Sequence, residues 1–305
     1  MDRDPGVTAN DLETYMSRRE DIRAAAPRSS IARSRSPRTR RTRLQALAAT
    51  AALLLAVTAF TACGGGGERT GDTATVAQVG DMSITRGTLS HWMSTIIGGD
   101  YDENIGHPAP RGLVSDPPNY PRCIAAIETL GPSKSHSETP QQARTTLAND
   151  CHGLYRELKH QALSYLLQGL WSTEEAAEQG IAVTNAEVER AFAKLRVQRY
   201  PTNTALASFL AGREWALSDE LYLLKRDLLY AKLGVKHEQD IAKIVKGNHL
   251  ALERAVLELD ARVEKSWKAK TTCSVGYVIP ECKQYKGTEA LGAPDALLEH
   301  IVASR

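Results

Sequence analysis

Catalytic signatures are what these 305 residues lack. There is no G-x-S-x-G elbow and no H-E-x-x-H pair, so the marks of α/β-type serine hydrolases and of zinc proteases are missing. There is no Walker loop and no dinucleotide fingerprint. The one glycine run, Gly64 to Gly67, has the composition of a flexible tether rather than of a phosphate cradle. Cysteines number only five, and no two of them stand at the two-to-four-residue spacing of a structural zinc knuckle. No internal repeat is visible, no heptad array is sustained, and a single long apolar run occurs. The histidines are scattered; His152 and His160 lie about two helical turns apart and do not make a metal pair. Nothing here assigns a catalytic residue, a metal ligand or a cofactor site, and no cofactor is expected.

Acidic residues are also missing from one stretch. Arg23 to Arg43 holds eight arginines and no Asp or Glu. The formal charge of +2 for the whole chain therefore misleads. Eleven of the 38 basic residues and six of the 36 acidic ones precede Cys63, which leaves 27 basic and 30 acidic residues after it, a net of −3. The exported part has no basic field for nucleic acid, and no nucleic-acid partner is expected.

The arginine-rich stretch leads into Leu44 to Phe60, 17 residues that are apolar apart from Gln45 and small threonines. A basic segment, an apolar segment and small residues before a cleavage point make a secretory signal. Seventeen residues stand at the short limit of the roughly 17–25 that a spanning helix needs. Phe60-Thr61-Ala62-Cys63 resembles a bacterial lipobox, in which the cysteine is lipidated and becomes the new N-terminus; Phe60 stands where leucine is usual. An uncleaved N-terminal anchor is the alternative left open. Either reading puts the rest of the chain on the extracytoplasmic face of the cell membrane. Thr39-Arg40-Arg41-Thr42-Arg43-Leu44 resembles in part a twin-arginine export signal, with Arg43 where that motif prefers an apolar residue, so the export route stays open. The chain then divides into a basic, disordered segment at 1–43, the signal region and cleavage site at 44–62, a tether at 63–75, a helical domain at 76–290 and a tail at 291–305.

Past Cys63, four cysteines remain in an oxidising compartment, and three pairings are possible. Cys123–Cys151 and Cys273–Cys282 are expected because each joins neighbours in sequence. Four free buried thiols are the alternative.

The residue pattern of the exported part is mainly α, with two small β-hairpin elements. Val76 to Ile84 alternates around Gly80-Asp81 and reads as a hairpin. Thr85 caps a helix whose apolar face carries Leu89, Trp92, Met93, Ile96 and Ile97 and which ends at Gly98-Gly99. Five of the 13 prolines fall between Pro108 and Pro121, which forbids regular structure there, and a short helix follows at Ile124 to Leu130. Thr139-Pro140-Gln141-Gln142 is a capping box opening a helix that runs to Gln179, with Gly153 as a point of interruption and Gly180 after its end. Its turn at Glu174-Glu175 reads as solvated. A second capping box, Thr184 to Glu187, opens another helix, and a short one follows around Leu206 to Leu210. Ser218 caps a helix that ends at Gly234. A last long helix places Ile241, Val245, Leu252, Val256, Leu259, Val263 and Trp267 on one face, with a kink at Gly247-Asn248. Thr271 to Tyr285 reads as a small hairpin closed by its disulfide.

Val76-Ala77-Gln78-Val79-Gly80-Asp81-Met82-Ser83-Ile84-Thr85 is similar to the opening of SurA/PrsA-type extracytoplasmic foldases. Leu163 to Trp171, then Glu174-Glu175-Ala176-Ala177-Glu178-Gln179-Gly180-Ile181-Ala182-Val183-Thr184-Asn185-Ala186-Glu187-Val188, resembles the "E-A-x-x-x-G-I-x-V-T/S-D-x-E-V" segment of the same family. The resemblance covers about 76 to 235. Many relatives carry a parvulin domain, a peptidyl-prolyl isomerase, before the last helix. Its "H-I-L" strand and "G-G-D-L-G" loop are absent here. The resemblance thus implies the chaperone portion alone, an extended SurA N-terminal-like domain that binds unfolded exported chains without covalent chemistry or ATP. It implies a cradle, for which Trp92, Met93, Trp171, Phe209 and Trp215 are the candidate lining residues; each also fits ordinary core packing. Two other functions stay open: a dedicated envelope scaffold for one folded partner, and a prolyl isomerase with an unrecognised site.

Overall fold

The computed structural model describes residues 72–115, 117–131, 139–245 and 249–287. The signal region, Cys63, most of the tether, the tail and the Gly247-Asn248 kink lie outside the described residues. The architecture is mainly helical, with one small antiparallel sheet of three strands.

Strands β1 (Thr75–Val79) and β2 (Met82–Thr85) form the expected hairpin, turning at Gly80, whose φ of 55° suits a residue without Cβ. The expected second hairpin does not form. Thr271–Cys273 is instead a third strand, β3, paired antiparallel with β1 through Ala77↔Cys273, Gln78↔Thr272 and Val79↔Thr271. The sheet order is β2-β1-β3, so the start and the end of the domain share one sheet. The physical reason is that β1 buries Val76, Ala77 and Val79 and has a second edge whose amides need partners. The outer edge of β3 is closed by a side chain: the Gln284 carboxamide donates to the Cys273 carbonyl at 3.0 Å and accepts from the Cys273 amide at 3.3 Å. The Thr271 carbonyl on the same edge accepts from the Lys283 amide at 3.0 Å, so residues 283–284 stand in for a fourth strand.

Helix α1 (Arg86–Ile105) starts at the Thr85 cap, whose hydroxyl accepts from the Thr88 amide. It does not stop at Gly98-Gly99 but runs on to Gly106, which takes the left-handed C-cap at φ 81°. Gly98 is there for clearance. A Cβ on it would lie 2.3 Å from the Arg213 carbonyl, so the missing side chain lets the 213–216 turn sit against the helix. Helix α2 (Pro121–Glu128) is short, as the prolines before it require. Helix α3 (Pro140–Glu178) is 39 residues long and is not interrupted at Gly153. Both halves of its capping box are made, and Gly180 follows its end at φ 67°.

The remaining helices are α4 (Asn185–Arg199), α5 (Asn203–Gly212), α6 (Leu217–Val245) and α7 (His249–Lys270). Ser218 does not cap α6; Asp219 accepts from the Ala216 amide at 2.8 Å and closes that end. Nor does α6 end at Gly234. An interior glycine costs only about 1 kcal/mol relative to alanine, and the buried Val235 and Ile241 beyond it reward continuation. The single last helix expected from the Ile241–Trp267 pattern is therefore two elements, the end of α6 and the whole of α7, which pack on each other.

The main core lies between the sheet, α1, α2 and α3, with Tyr101, Leu154, Leu158, Leu163 and Leu167 fully enclosed. Trp267 and Ile279 join it from the C-terminal side. Both expected disulfides are present. Cys123–Cys151 ties α2 to α3, and Cys273–Cys282 ties β3 to the segment after it.

The second capping box has an electrostatic extension. Glu187 Oε2 accepts from the Thr184 amide at 2.8 Å, while Oε1 accepts from Lys232 Nζ of α6 at 2.6 Å. The Lys232 hydrogen bond, followed by that of the Thr184 amide, pulls the Glu187 carboxyl down to about 2 from 4.5. A depressed carboxyl pKa stabilises the fold above the unfolded value and loses that contribution as pH falls. Glu187→Gln keeps a side-chain acceptor for the cap, as Gln142 does, and is expected to cost about 1 kcal/mol at pH 7, the worth of the partly buried ion pair with Lys232. The gap to the parent should close between pH 4.5 and 2. Urea unfolding at pH 7, 4 and 2.5 checks this; a gap that stays constant with pH would refute it.

Candidate functional site

Two adjoining hollows run along the seam of α3, α6 and α7. The first has a volume of ≈ 360 Å³ and is walled by Trp171, Tyr230, Leu233 and Val263, with Glu175, His237, Asp260, Glu264 and Glu281 among its polar groups. The second, ≈ 370 Å³, is walled by Ile241, Ile244 and Leu259 and edged by Lys236, Asp240 and Arg262. Glu175 and His237 border both.

Glu175 is not the solvated residue expected from its Glu-Glu turn. Its side chain is 16 % exposed. Oε2 accepts from the Trp267 indole N–H at 2.8 Å and Oε1 from the Gln179 amide at 2.6 Å. This carboxylate locks α7 onto α3, a long-range partnership that no local pattern encodes. His237 Nε2 lies 3.0 Å from the Gln179 amide nitrogen and 3.9 Å from Glu175 Oε1. Ser172 borders the same hollow, yet its hydroxyl donates to the Gln168 carbonyl at 3.0 Å. That geometry holds the seam together and delivers no nucleophile to a base. No group of three or more His, Cys, Asp or Glu side chains suited to a metal ion occurs among the described residues.

The five aromatic and methionine candidates are dispersed. Trp92, Met93 and Trp171 are buried in the core. Trp92 packs at a tilt against Tyr165 and Tyr222, each with ring centroids 5.1 Å away. Trp171 borders the first hollow with a small part of its ring, while its indole N–H donates to Thr271 Oγ1 at 2.7 Å inside the protein. Phe209 and Trp215 are half-buried in a different place. The Arg213 guanidinium lies 4.5 Å from the Phe209 ring centroid and 5.3 Å from that of Trp215, and it pairs with Asp102 and Glu103 of α1. The Trp215 indole N–H donates to the Thr95 carbonyl at 2.7 Å. These two rings therefore dock the α5–α6 turn on α1 and do not line the seam.

Sequence reasoning missed the apolar residues that the fold leaves open. Ile244 is 77 % exposed and borders the second hollow; Leu257, on α7, is 69 % exposed. A usable signal existed for Leu257. It falls one place after Val256, off the stripe that buries α7, so it has no core to enter. No helix among the described residues is long and apolar enough to cross a membrane. Compared with protein-family models, with curated proteins and with solved structures, this chain has no match in any of the three.

Proposed function

We propose that the chain is a lipid-anchored extracytoplasmic chaperone, a non-covalent and ATP-independent binder of unfolded or partly folded exported proteins, held to the cell membrane through Cys63. The supporting observations are two exposed apolar side chains, Ile244 at the edge of the second hollow and Leu257 on α7, on a frame closed by two disulfides. Exposed apolar area on a rigid support is what holding an unfolded segment requires, and it needs no nucleophile. The lipobox-like Cys63 and the foldase-like order of the hairpin and helical segments supply the setting.

The test is suppression of aggregation of chemically denatured clients at substoichiometric to equimolar ratios. The parent protein is expected to suppress it. The double variant Ile244→Ser, Leu257→Ser should lose suppression several-fold while its thermal midpoint stays within about 2 °C, because exposed side chains add little to folding stability. No suppression for several unrelated clients would sink the proposal. A single stable partner in crosslinked pull-downs, with no affinity for denatured chains, would favour a dedicated scaffold instead.

A further inference from the structure

A larger groove lies elsewhere and shares no lining residue with the seam. Its volume is ≈ 780 Å³, and it opens where the 117–120 loop, one stretch of α3 and the 276–278 loop meet. His152, Arg156 and Lys159 line it, at i, i+4 and i+7, so the helix sets all three on one face. None of its described lining residues is Asp or Glu.

The bases are held in place. Arg156 Nε and Nη2 both donate to one oxygen of the buried Glu157, at 3.0 and 2.8 Å, which fixes the guanidinium plane. Lys159 Nζ donates to the Gly276 carbonyl at 2.7 Å, which fixes the ammonium across the groove. Tyr155 stands on the same helix, and Tyr120 faces it from the 117–120 loop. The Tyr120 ring lies 5.9 Å from both His152 and Tyr155, centroid to centroid. Tyr120 is also a non-glycine residue in the left-handed region, φ 48°, and is nearly enclosed. Such strain persists only where the surroundings impose it, and it concentrates at ligand sites. Burial pushes the Tyr120 phenol up from its ordinary value, so it stays an O–H donor.

We propose that this groove is a binding site for a phosphate-bearing ligand, with His152, Arg156 and Lys159 meeting the anion and the Tyr120 and Tyr155 rings meeting the body that carries it. Two basic side chains and an imidazole supply N–H donors to phosphate oxygens. The volume falls in the range of small-ligand sites. The phosphate could belong to a soluble monoester or to the diester of a lipid headgroup, and both share the chemistry that the groove recognises.

The experiment is calorimetric titration of the full-length protein with inorganic phosphate, glycerol 3-phosphate, dihexanoyl-phosphatidylglycerol below its micellar concentration and, as a zwitterionic control, dihexanoyl-phosphatidylcholine. Saturable binding of at least one of the first three is expected, at least ten-fold tighter than the control. Lys159→Gln should weaken it about ten-fold or more, and the same titration with His152→Gln, an exposed position, reads the site without touching the Gly276 contact. A preference for the monoester would point to a soluble ligand, and one for the diester to a headgroup; either supports the site. No saturable binding at millimolar concentration, or binding unchanged in both variants, overturns it. Client binding at the seam is untouched by either result.

Discussion

Trp171→Ala is expected to destabilise the fold by about 3–5 kcal/mol, the usual cost of removing a buried tryptophan. Trp171 is 7 % exposed and belongs to the main core. Its loss also breaks a chain of hydrogen bonds. The indole N–H donates to Thr271 Oγ1 at 2.7 Å, and that hydroxyl donates to the Trp267 carbonyl at 2.8 Å. Thr271 is fully buried, so its hydroxyl oxygen would lose a donor in a place away from water while keeping its own bond to Trp267. The same three residues connect α3, the end of α7 and the start of β3. Trp171→Phe keeps most of the volume and removes only the donor, so it should cost about 1–3 kcal/mol. Urea unfolding of both variants measures the difference. If Trp171→Ala cost less than 1 kcal/mol, the linkage of α3 to the C-terminal strand would be wrong. The result also bears on function: a loss of client binding in Trp171→Ala would reflect unfolding, whereas the same loss in the Ile244 and Leu257 variant would reflect the surface.

Removing the Cys123–Cys151 bridge, as Cys123→Ala with Cys151→Ala, is expected to cost about 3.6 kcal/mol. The figure follows from loop-closure entropy in the unfolded chain for a sequence separation of 28. The shorter Cys273–Cys282 bridge, with a separation of 9, should be worth about 2.6 kcal/mol by the same relation. Both cysteines of the first bridge are buried, at 0 % and 1 % exposure, so reduction of the native protein should need opening of the α2–α3 contact. Equilibrium unfolding of the alanine pairs under non-reducing conditions gives the two values. A smaller effect for the longer loop would contradict the entropic account.

Local chemistry made much of the helical framework legible. Thr85, Thr139 and Thr184 cap the helices they were expected to cap, and the Gln142 and Glu187 returns are both made. Each motif spans four residues and is decided by groups within hydrogen-bond reach of one another. Glycine was the less dependable sign. Gly180 follows a helix end, but Gly98, Gly153 and Gly234 lie inside helices. In the case of Gly98 the reason is a backbone 115 positions away in sequence, since only the absence of a Cβ admits the Arg213 carbonyl. The candidate site was hardly legible at all. Apolar periodicity identifies residues that want burial, and Trp92, Met93 and Trp171 obtain it. It does not identify Ile244 and Leu257, which no element among the described residues covers.

The sequence by itself determined the mainly helical class, the principal capped helix starts, the first hairpin and the two disulfide pairs, because each rests on residues close along the chain or on a small count of alternatives. Only the tertiary structure decided that Thr271–Cys273 would complete the N-terminal sheet, that Glu175 would clamp Trp267, and that His152, Arg156 and Lys159 would face two loops across a groove. Those outcomes depend on which distant edge, carboxylate or loop offers the better partner once the core has closed, and that competition is settled in three dimensions.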